Sequence, residues 1–258
     1  MVQVYEYLVV EYRSRADFQE RAGYVIDGVW YPRVTAIINI KAKPGLYRYY
    51  ASMPSHEAAV RVKEQSAQEG TDVHTAVEAI FRGHQPIITP ITEAPIDAFM
   101  EFLRNTHVEP LALEERIVHR GHGYAGTLDA VVRMNGVVGI LDIKTSKSMH
   151  REYGLQLAAY RSALEDMRFA HPITTAWVLR LDQASNCTRC GAVSRSKGGT
   201  ARVTGGGRIP CNHDFGSAQG LFELTEVTSY EHDLKAFLAA KELWTWEHQR
   251  LLTYVRSL

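Results

Sequence analysis

The sequence lacks an excess of charge of either sign, and it lacks any long hydrophobic run. Lysine and arginine together number 29, as do aspartate and glutamate, so no overall basic field attracts the chain to nucleic acid. Contact with a polyanion therefore requires a local basic patch. No apolar stretch approaches the roughly 20 residues of a membrane-spanning helix, and residues 1–12 alternate apolar with polar positions instead of resembling a signal peptide. These absences predict a soluble, intracellular, cytoplasmic protein without a membrane partner.

Cysteine is also scarce. The three cysteines all lie between positions 187 and 211, and an odd, clustered set is not typical of a disulfide framework. This distribution favours a reducing compartment. The chain also lacks the G-x-x-x-x-G-K-[ST] phosphate loop, which excludes a helicase motor of that kind from these residues.

The hydrophobic pattern predicts an α/β fold. With 258 residues, 45% of them hydrophobic, the chain can form one large core, and we predict a single domain over 1–258 with an insertion over 184–219 that has no periodicity. Strand-like alternation is found at 4–11, 24–31, 113–119, 126–134, 137–144, 174–181 and 221–227. Helical spacing is found within 34–107, where Gly83 marks one helix end, and at 152–167 and 230–256.

A short turn at Asn135 and Gly136 joins two of the strand-like runs. A two-residue turn of this composition fixes the pairing register of the strands that flank it. Counting equally away from the turn places Asp129 directly opposite Asp142. Opposed residues share a sheet face with side-chain roots roughly 5 Å apart, so like charges there destabilise the sheet. A bound divalent cation would reverse this, because hard cations such as magnesium bind carboxylate oxygens.

Lys144 lies two residues beyond Asp142, so strand alternation places its ammonium on the same face. Two carboxylates and a lysine around one metal suit phosphodiester hydrolysis. The metal polarises a phosphate oxygen and activates water, while the lysine orients that water or stabilises the developing charge. The alternative is a surface hairpin whose charged side chains face solvent, since D-x-K triplets are common and a register can slip.

Four motifs, taken in order along the chain, resemble a known family. They are G-T-D-V-H-T-A-V-E at 70–78, G-T-L-D at 126–129, L-D-I-K-T-S at 141–146 and Q-L-A-A-Y at 156–160. Together they resemble the PD-(D/E)xK nuclease superfamily in its RecB-type exonuclease branch, over roughly residues 32–181. The resemblance implies a restriction-endonuclease-like core, in which helices flank a central mixed sheet.

The resemblance also implies residue roles at the metal centre. Asp129 and Asp142 would bind a magnesium or manganese ion, Ile143 would contribute its backbone carbonyl, and His74 would be a further ligand. Lys144 would be catalytic. His74 lies beside an apolar helix face, where it can reach a site without entering the core; the alternative for it is a partly buried structural histidine.

Other side chains are less closely tied to the centre. Glu115 is our candidate for the acidic residue that the family often places on the preceding strand, with neighbouring Glu114 left open. Glu78 either orients the motif histidine or is an exposed helix residue. By the resemblance, Gln156 and Tyr160 border the substrate channel; they are one helical turn apart and so point together. A buried hydrogen-bonded pair is the alternative for these two.

The insertion contains a C-x-x-C pair and a C-x-H pair, formed by Cys187, Cys190, Cys211 and His213. Three thiolates and one imidazole suit tetrahedral zinc, and the segment between the pairs has too little apolar bulk to fold without such a site. A disordered loop with reduced cysteines is the alternative. Some relatives in the branch hold an iron–sulfur cluster with one cysteine far upstream, and this chain has no upstream cysteine.

The insertion also supplies the local basic patch that DNA binding requires. Between positions 187 and 213 it has no acidic residue, and its basic residues are Arg189, Arg195, Lys197, Arg202 and Arg208. The leading hypothesis is therefore a metal-dependent DNA exonuclease acting on ends or single strands, in recombination, repair or phage DNA processing. A structure-selective or sequence-specific endonuclease on the same core is one alternative. The other is a non-catalytic nucleic-acid-binding protein that uses the cysteine insertion.

Overall fold

A computed structural model describes residues 12–207 and 210–255, so the strand expected at 4–11 lies outside the described residues. The helices are α1 (Arg15–Ala22), α2 (Val34–Ile38), α3 (Pro44–Ala51), α4 (His56–Phe81), α5 (Glu93–Asn105), α6 (Glu152–Asp166), α7 (Tyr230–Glu247) and α8 (Gln249–Val255). The strands are β1 (Gly23–Ile26), β2 (Val29–Pro32), β3 (Val108–His119), β4 (Tyr124–Met134), β5 (Val137–Lys144), β6 (Thr175–Asn186), β7 (Val193–Lys197), β8 (Thr200–Thr204) and β9 (Gln219–Glu226).

The central element is a seven-stranded mixed sheet, as the predicted α/β class requires. Strands β3, β4 and β5 are antiparallel neighbours, and β6 lies parallel to β5 after the chain crosses over through α6. Strand β9 returns antiparallel to β6, while β7 and β8 extend from the far end of β6. Since β4, β5 and β6 lie side by side in the middle, residues at their ends are close in space.

Helices cover both faces of this sheet. On one face, α1, α2, α6, α7 and α8 share a hydrophobic cluster with strand residues such as Ile140. On the other face, α4 and α5 pack against residues such as Leu141 and Ile143. The change of face from one residue of β5 to the next is the alternation of a strand buried on both sides. Among the described helices, none is both long and apolar enough to cross a bilayer.

Local signals set several element boundaries. The Asn135 and Gly136 turn has φ values of 49° and 87°, the left-handed conformations that a tight hairpin requires. Helix α4 begins where the Ser55 side chain accepts a hydrogen bond from the Ala58 N–H, and Gly83 with φ of 70° follows its end. The turn and the helix end at Gly83 agree with the sequence predictions because each depends on neighbouring residues alone.

Residues 184–219, which have no periodicity in the sequence, nevertheless contain strands. Strand β6 continues to Asn186, and β7 and β8 form a hairpin inside the insertion. Their sequences, V-S-R-S-K and T-A-R-V-T, have no apolar face to reveal them. The hairpin is held by backbone pairing and by contacts with distant parts of the chain, which periodicity cannot indicate.

Candidate active site

The candidate site lies where β4 and β5 separate. The paired residues run from Met134 opposite Val137 to Ala130 opposite Leu141. This is the register predicted from the Asn135 and Gly136 turn. The next step in this register would bring Asp129 opposite Asp142. At that step Asp129 Oδ2 instead accepts a hydrogen bond from the Ile143 N–H at 2.7 Å. The Asp129 side chain thus takes the place of a backbone carbonyl as the acceptor for a strand N–H. The recorded backbone pairing of β4 with β5 ends at this point.

Asp142 is the most deeply buried acidic group of the site, with 1% of its surface exposed. Its Oδ2 lies 2.6 Å from Lys144 Nζ, so the lysine is on the predicted face. Its Oδ1 accepts a 3.3 Å hydrogen bond from Gln156 Nε2, which also donates to the Tyr160 hydroxyl at 3.0 Å. The predicted helix pair therefore contacts the acidic centre directly.

The charges of the site move the pKa values of the two aspartates in opposite directions. Burial raises the pKa of Asp142 to about 6, with a further contribution from the Asp129 charge, although Lys144 opposes both. Burial also raises the pKa of Asp129, but the charges of His74 and Lys144 outweigh it and leave this pKa below its ordinary value. Asp142 is therefore the carboxyl that gains most from an additional positive charge.

Lys144 remains an ammonium in this environment. Burial lowers its pKa, but the carboxylates of Asp142 and Asp129 more than compensate and raise it above the ordinary value. A lysine with a raised pKa is charged at neutral pH and cannot accept a proton. Both roles expected for it, orienting the water and stabilising developing negative charge, are compatible with an ammonium.

A second group of ligand atoms surrounds Asp129. His74, Glu114 and Asp129 each offer an atom within 4.8 Å of the others, and His74 Nδ1 lies 3.3 Å from Asp129 Oδ1. Burial lowers the pKa of His74, yet the Asp129 carboxylate raises it overall. His74 reaches this position because α4 buries the adjacent Val73 and, one turn further on, Val77. The histidine predicted as a ligand is thus beside the predicted aspartate.

The acidic residue from β3 is Glu114, and our choice of Glu115 is not supported by the position of its side chain. Leu113 pairs with Ala130 and Glu115 pairs with Leu128, and between these pairs Glu114 has a left-handed φ of 51°. Its carboxylate lies within 4.8 Å of ligand atoms of Asp129 and His74. Glu115 instead shares the face of Leu128, which belongs to the core under α6. Burial and the Asp129 charge both raise the pKa of Glu114.

Glu78 is close to the site without contacting its histidine. Its Oε1 accepts a hydrogen bond from Arg82 Nε at 2.8 Å, one turn along α4. The partner recorded for the His74 ring is Asp129. The contact made by Glu78 is therefore that of a surface helix residue, and it does not orient the His74 ring.

The donor set fits a hard divalent cation. The grouped ligand atoms are the carboxylates of Asp129 and Glu114 with the His74 imidazole, and the Asp142 carboxylate lies outside this group, beside Lys144. Magnesium and manganese prefer such oxygen-rich sites. Within the described residues, the buried Oδ2 of Asp142 accepts no hydrogen bond of regular geometry and contacts only the lysine ammonium. A carboxylate oxygen in that state has capacity for a cation. Ile143 contributes its N–H to Asp129, and its expected carbonyl ligation stays a prediction.

The inserted β7–β8 hairpin packs against this site. At the tip of the hairpin, the Gly198 N–H lies 3.1 and 3.0 Å from the two carboxylate oxygens of Glu69, a buried residue of α4. Lys197 Nζ donates to Thr145 Oγ1 at 3.0 Å, and Arg195 donates to the Thr145 carbonyl at 3.4 Å. Thr145 directly follows the catalytic lysine candidate. The hairpin therefore connects the helix of the histidine to the strand end of the lysine.

The four basic residues of the insertion that the structure describes do not form one unpaired patch. Arg195 also donates to both oxygens of Asp182, at 2.7 and 2.8 Å. Arg189 donates to a backbone carbonyl within the insertion, and Arg202 lies over the Tyr49 ring. Arg208 lies outside the part of the chain that the structure describes. The charges of Arg195 and Lys197 thus hold the hairpin in place rather than face solvent.

The cysteine cluster assembles as the motif predicts. Ligand atoms of Cys187, Cys190, Cys211 and His213 all lie within 4.8 Å of one another. The sulfurs of Cys187 and Cys211 are 3.9 Å apart, and Cys190 Sγ is 3.3 Å from His213 Nδ1. Zinc–sulfur bonds of about 2.3 Å at tetrahedral angles place neighbouring sulfurs roughly 3.8 Å apart. These distances suit a tetrahedral metal and are far from a disulfide of about 2.05 Å.

The thiols of this cluster differ in acidity. Burial raises the pKa of Cys187, but N–H donors from Arg189, Asp214 and Cys190 lower it to about 5. Burial and the neighbouring thiols raise the pKa of Cys211 to about 11. Backbone N–H groups aimed at a sulfur stabilise a thiolate, which is the form that binds metal. Cys187 is thus the thiol of the cluster that ionises most readily.

Sequence reasoning missed Glu69 and Thr145, which receive the inserted hairpin. One signal was present for Glu69, because it lies one turn before Val73 and two turns before Val77 on the buried stripe of α4. An acidic residue on such a stripe needs a partner. Nothing local could have identified that partner as a glycine of a polar segment far along the chain.

Comparison with known proteins adds no family assignment. A scan against protein-family models finds no match, and a search of curated proteins finds no significant match.

The pH dependence of Asp142 tests the site directly. In metal-free protein we expect its carboxyl to titrate near pH 6, above the ordinary value of 3.8. The folded state then binds this proton more tightly than the unfolded state does, so protonation of Asp142 stabilises the fold. This contribution is complete below pH 3.8 and is lost as the pH rises through 6. The affinity for magnesium should fall by up to ~10-fold per pH unit below 6. Carbon-13 NMR measures the titration, and a metal-free midpoint below 4 contradicts this account.

Gly198→Ala tests the seat of the hairpin. An added Cβ would lie 2.3 Å from Ser66 Oγ and 2.5 Å from the Val62 carbonyl oxygen. Gly205→Ala is the matched control, since both glycines have positive φ, 62° and 70°, but nothing lies within 4 Å of a Cβ at 205. Both variants bear a left-handed backbone cost of roughly 1–2 kcal/mol.

Only Gly198→Ala should lose an additional ~1–3 kcal/mol of unfolding free energy from overpacking. Urea denaturation measures that difference. Hydrogen exchange of the amides in β7 and β8 should accelerate in the same variant. Equal stabilities for the two variants would show that the hairpin is not seated on α4.

Proposed function

We propose that this protein is a divalent-metal-dependent deoxyribonuclease of the RecB-type PD-(D/E)xK kind, built on a restriction-endonuclease-like core. The observation that carries the proposal is the juxtaposition of Asp129, Asp142 and Lys144 at the opening of the β4–β5 hairpin, with His74 beside them. The four sequence motifs and the mixed sheet flanked by helices support it.

The proposed roles follow from the contacts. Asp129 and Asp142 would hold the metal, with His74 and Glu114 available around Asp129. A bound magnesium or manganese ion supplies Lewis-acid polarisation of the scissile phosphate and activation of water. The Lys144 ammonium stabilises negative charge that develops on the phosphate. To do so it must exchange part of its contact with Asp142 for the substrate.

Gln156 and Tyr160 position the acidic centre from the α6 side. Gln156 bridges Asp142 and the Tyr160 hydroxyl, so the pair fixes the orientation of a carboxylate that would bind metal. Because the carboxylate is recessed, exonuclease action on DNA ends or single strands is the reaction we propose. An endonuclease would use the same residues. A purely DNA-binding protein has no need for the buried Asp142 and Lys144 pair.

Hydrolysis assays test this proposal. Linear and covalently closed circular DNA are incubated with magnesium, with manganese and without added metal. We expect metal-dependent loss of linear DNA and persistence of closed circles. Lys144→Ala should reduce the rate by about 10²–10³-fold, the usual effect of removing one charge-stabilising donor. Asp142→Asn should also inactivate, while Asp97→Ala, on the exposed surface of α5, should retain full activity.

Two outcomes would contradict the proposal. Undiminished hydrolysis by Asp142→Asn and Lys144→Ala would place the active centre elsewhere. Efficient cutting of closed circles would replace the exonuclease with an endonuclease on the same core.

We also propose that the cysteine cluster holds one structural zinc ion. The support is the tetrahedral spacing of its three sulfurs and one imidazole. The ion would link Cys187, at the end of β6, to Cys211 and His213 on the far side of the hairpin. It would thus close the base of the segment that carries Arg195 and Lys197.

Metal analysis of protein purified without chelators should give about one zinc per chain. Cys190→Ser should lose the ion and lower the melting temperature, because binding free energy in such sites is folding free energy. Ser194→Ala, on β7 outside the cluster, serves as the control. Zinc-free wild-type protein of unchanged stability would refute a structural ion.

A further inference from the structure

Helix α3 presents aromatic side chains to solvent next to the site. Its sequence is P-G-L-Y-R-Y-Y-A, and none of its eight residues is buried. Tyr47 is 56% exposed and Leu46 is 41% exposed. A short helix without a buried side chain gains little from the core, and a cluster of exposed apolar groups marks a binding surface. Helix α3 is therefore placed for contact with a ligand.

Two further rings and a guanidinium extend this surface. The rings of Tyr49 and Tyr50 lie with centroids 5.6 Å apart. The guanidinium of Arg202, from the inserted β8, lies 5.0 Å from the centroid of the Tyr49 ring. Rings with free faces stack on unpaired bases, and an adjacent arginine adds cation–π attraction and charge. The insertion and α3 thus meet in one mixed aromatic and basic surface.

The charged residues of α3 and of the segment just before it are all basic. Residues 41–51 include Lys41, Lys43 and Arg48 and no acidic residue. Lys41 Nζ lies 3.4 Å from Glu152, and Lys43 Nζ donates to the Asn39 side chain at 3.0 Å. These are solvent-exposed contacts, which contribute little to stability and can exchange for phosphate. The surface is complementary to a polyanion although the whole chain is neutral.

A groove runs from the start of α3 to the helix that contacts the acidic centre. It has a volume of about 440 Å³, and its lining runs from Lys43 and Leu46 on the α3 side to Tyr153 and Gln156 on α6. Gln156 is hydrogen-bonded to Asp142, and the Tyr153 ring centroid lies 5.2 Å from Lys144 Nζ. A strand in the groove would therefore approach the acidic centre from the α6 side, whereas His74, Glu114 and Asp129 line a second pocket beside α4.

We propose that α3 and this groove form a binding track for single-stranded DNA, with Tyr47 stacking on a base and Lys43 contacting phosphate. The inference rests on the proposed nuclease function and specifies its substrate class. Bases in a duplex already stack on one another and offer no free face to a tyrosine, whereas an unpaired strand offers each base in turn.

Fluorescence anisotropy with a labelled oligothymidylate tests this track. The full chain carries Asp142→Asn to prevent cleavage, no chelator is added, and a duplex of equal length is measured in parallel. Tyr47→Ala should weaken single-strand binding at least ~5-fold, since one base–aromatic stack contributes on the order of 1 kcal/mol or more. Tyr47→Phe keeps the ring and should bind like its parent. Trp246→Ala, which removes a 70% exposed ring on α7, is the control for general surface effects.

Charge is measured separately through the salt dependence of binding. Lys43→Ala should reduce the slope of log affinity against log salt by about 0.7, the loss of one phosphate contact on a single strand. Unchanged single-strand affinity in Tyr47→Ala, or equal weakening of single-strand and duplex binding, would overturn the track. Binding that depends on Tyr47 without any hydrolysis by the wild-type chain would instead overturn only the nuclease function.

Discussion

The burial of one carboxylate beside another is the constraint on which the rest of the site depends. Asp142 is almost fully enclosed, Asp129 is its neighbour in the register, and burial raises the pKa of Asp142 to about 6. A protein retains such a pair only when positive charge compensates it. Lys144 supplies part of that charge, and a divalent cation would supply the remainder. The surrounding polar contacts, from Gln156 to His74, hold the carboxylates in place for that cation.

The inserted segment also contacts the elements that carry the site. Its cysteine cluster closes the base of a hairpin whose tip lies on Glu69 of α4 and whose lysine reaches Thr145, beside the catalytic lysine candidate. A polar hairpin without an apolar face cannot hold this position by hydrophobic burial. Ion pairs and a bound metal can. The same insertion places Arg202 against α3, so one segment contributes both to the rigidity of the site and to the surface that leads to it.

Local sequence rules were sufficient to predict the positions of the central residues of the site, but not those of the surrounding elements. The Asn135 and Gly136 turn determines the β4–β5 register, and alternation then places Lys144 with Asp142, so both could be predicted. Glu114 could not be separated from Glu115, because the facing of β3 depends on its pairing with β4. The β7–β8 hairpin was not predicted, since the residues that hold it lie elsewhere in the chain, as far away as Glu69, 129 positions before Gly198. Long-range contacts and the left-handed backbone of Glu114 account for these errors.

The proposed metal centre requires one cation to join Asp129 and Asp142. Crystals of the full chain grown with manganese, with data collected for anomalous scattering, test this requirement. We predict one anomalous peak about 2.1 Å from carboxylate oxygens of both residues, with the Lys144 ammonium displaced from Asp142 Oδ2. A structure at saturating manganese with no peak there, and with the Asp142–Lys144 ion pair intact, would contradict it.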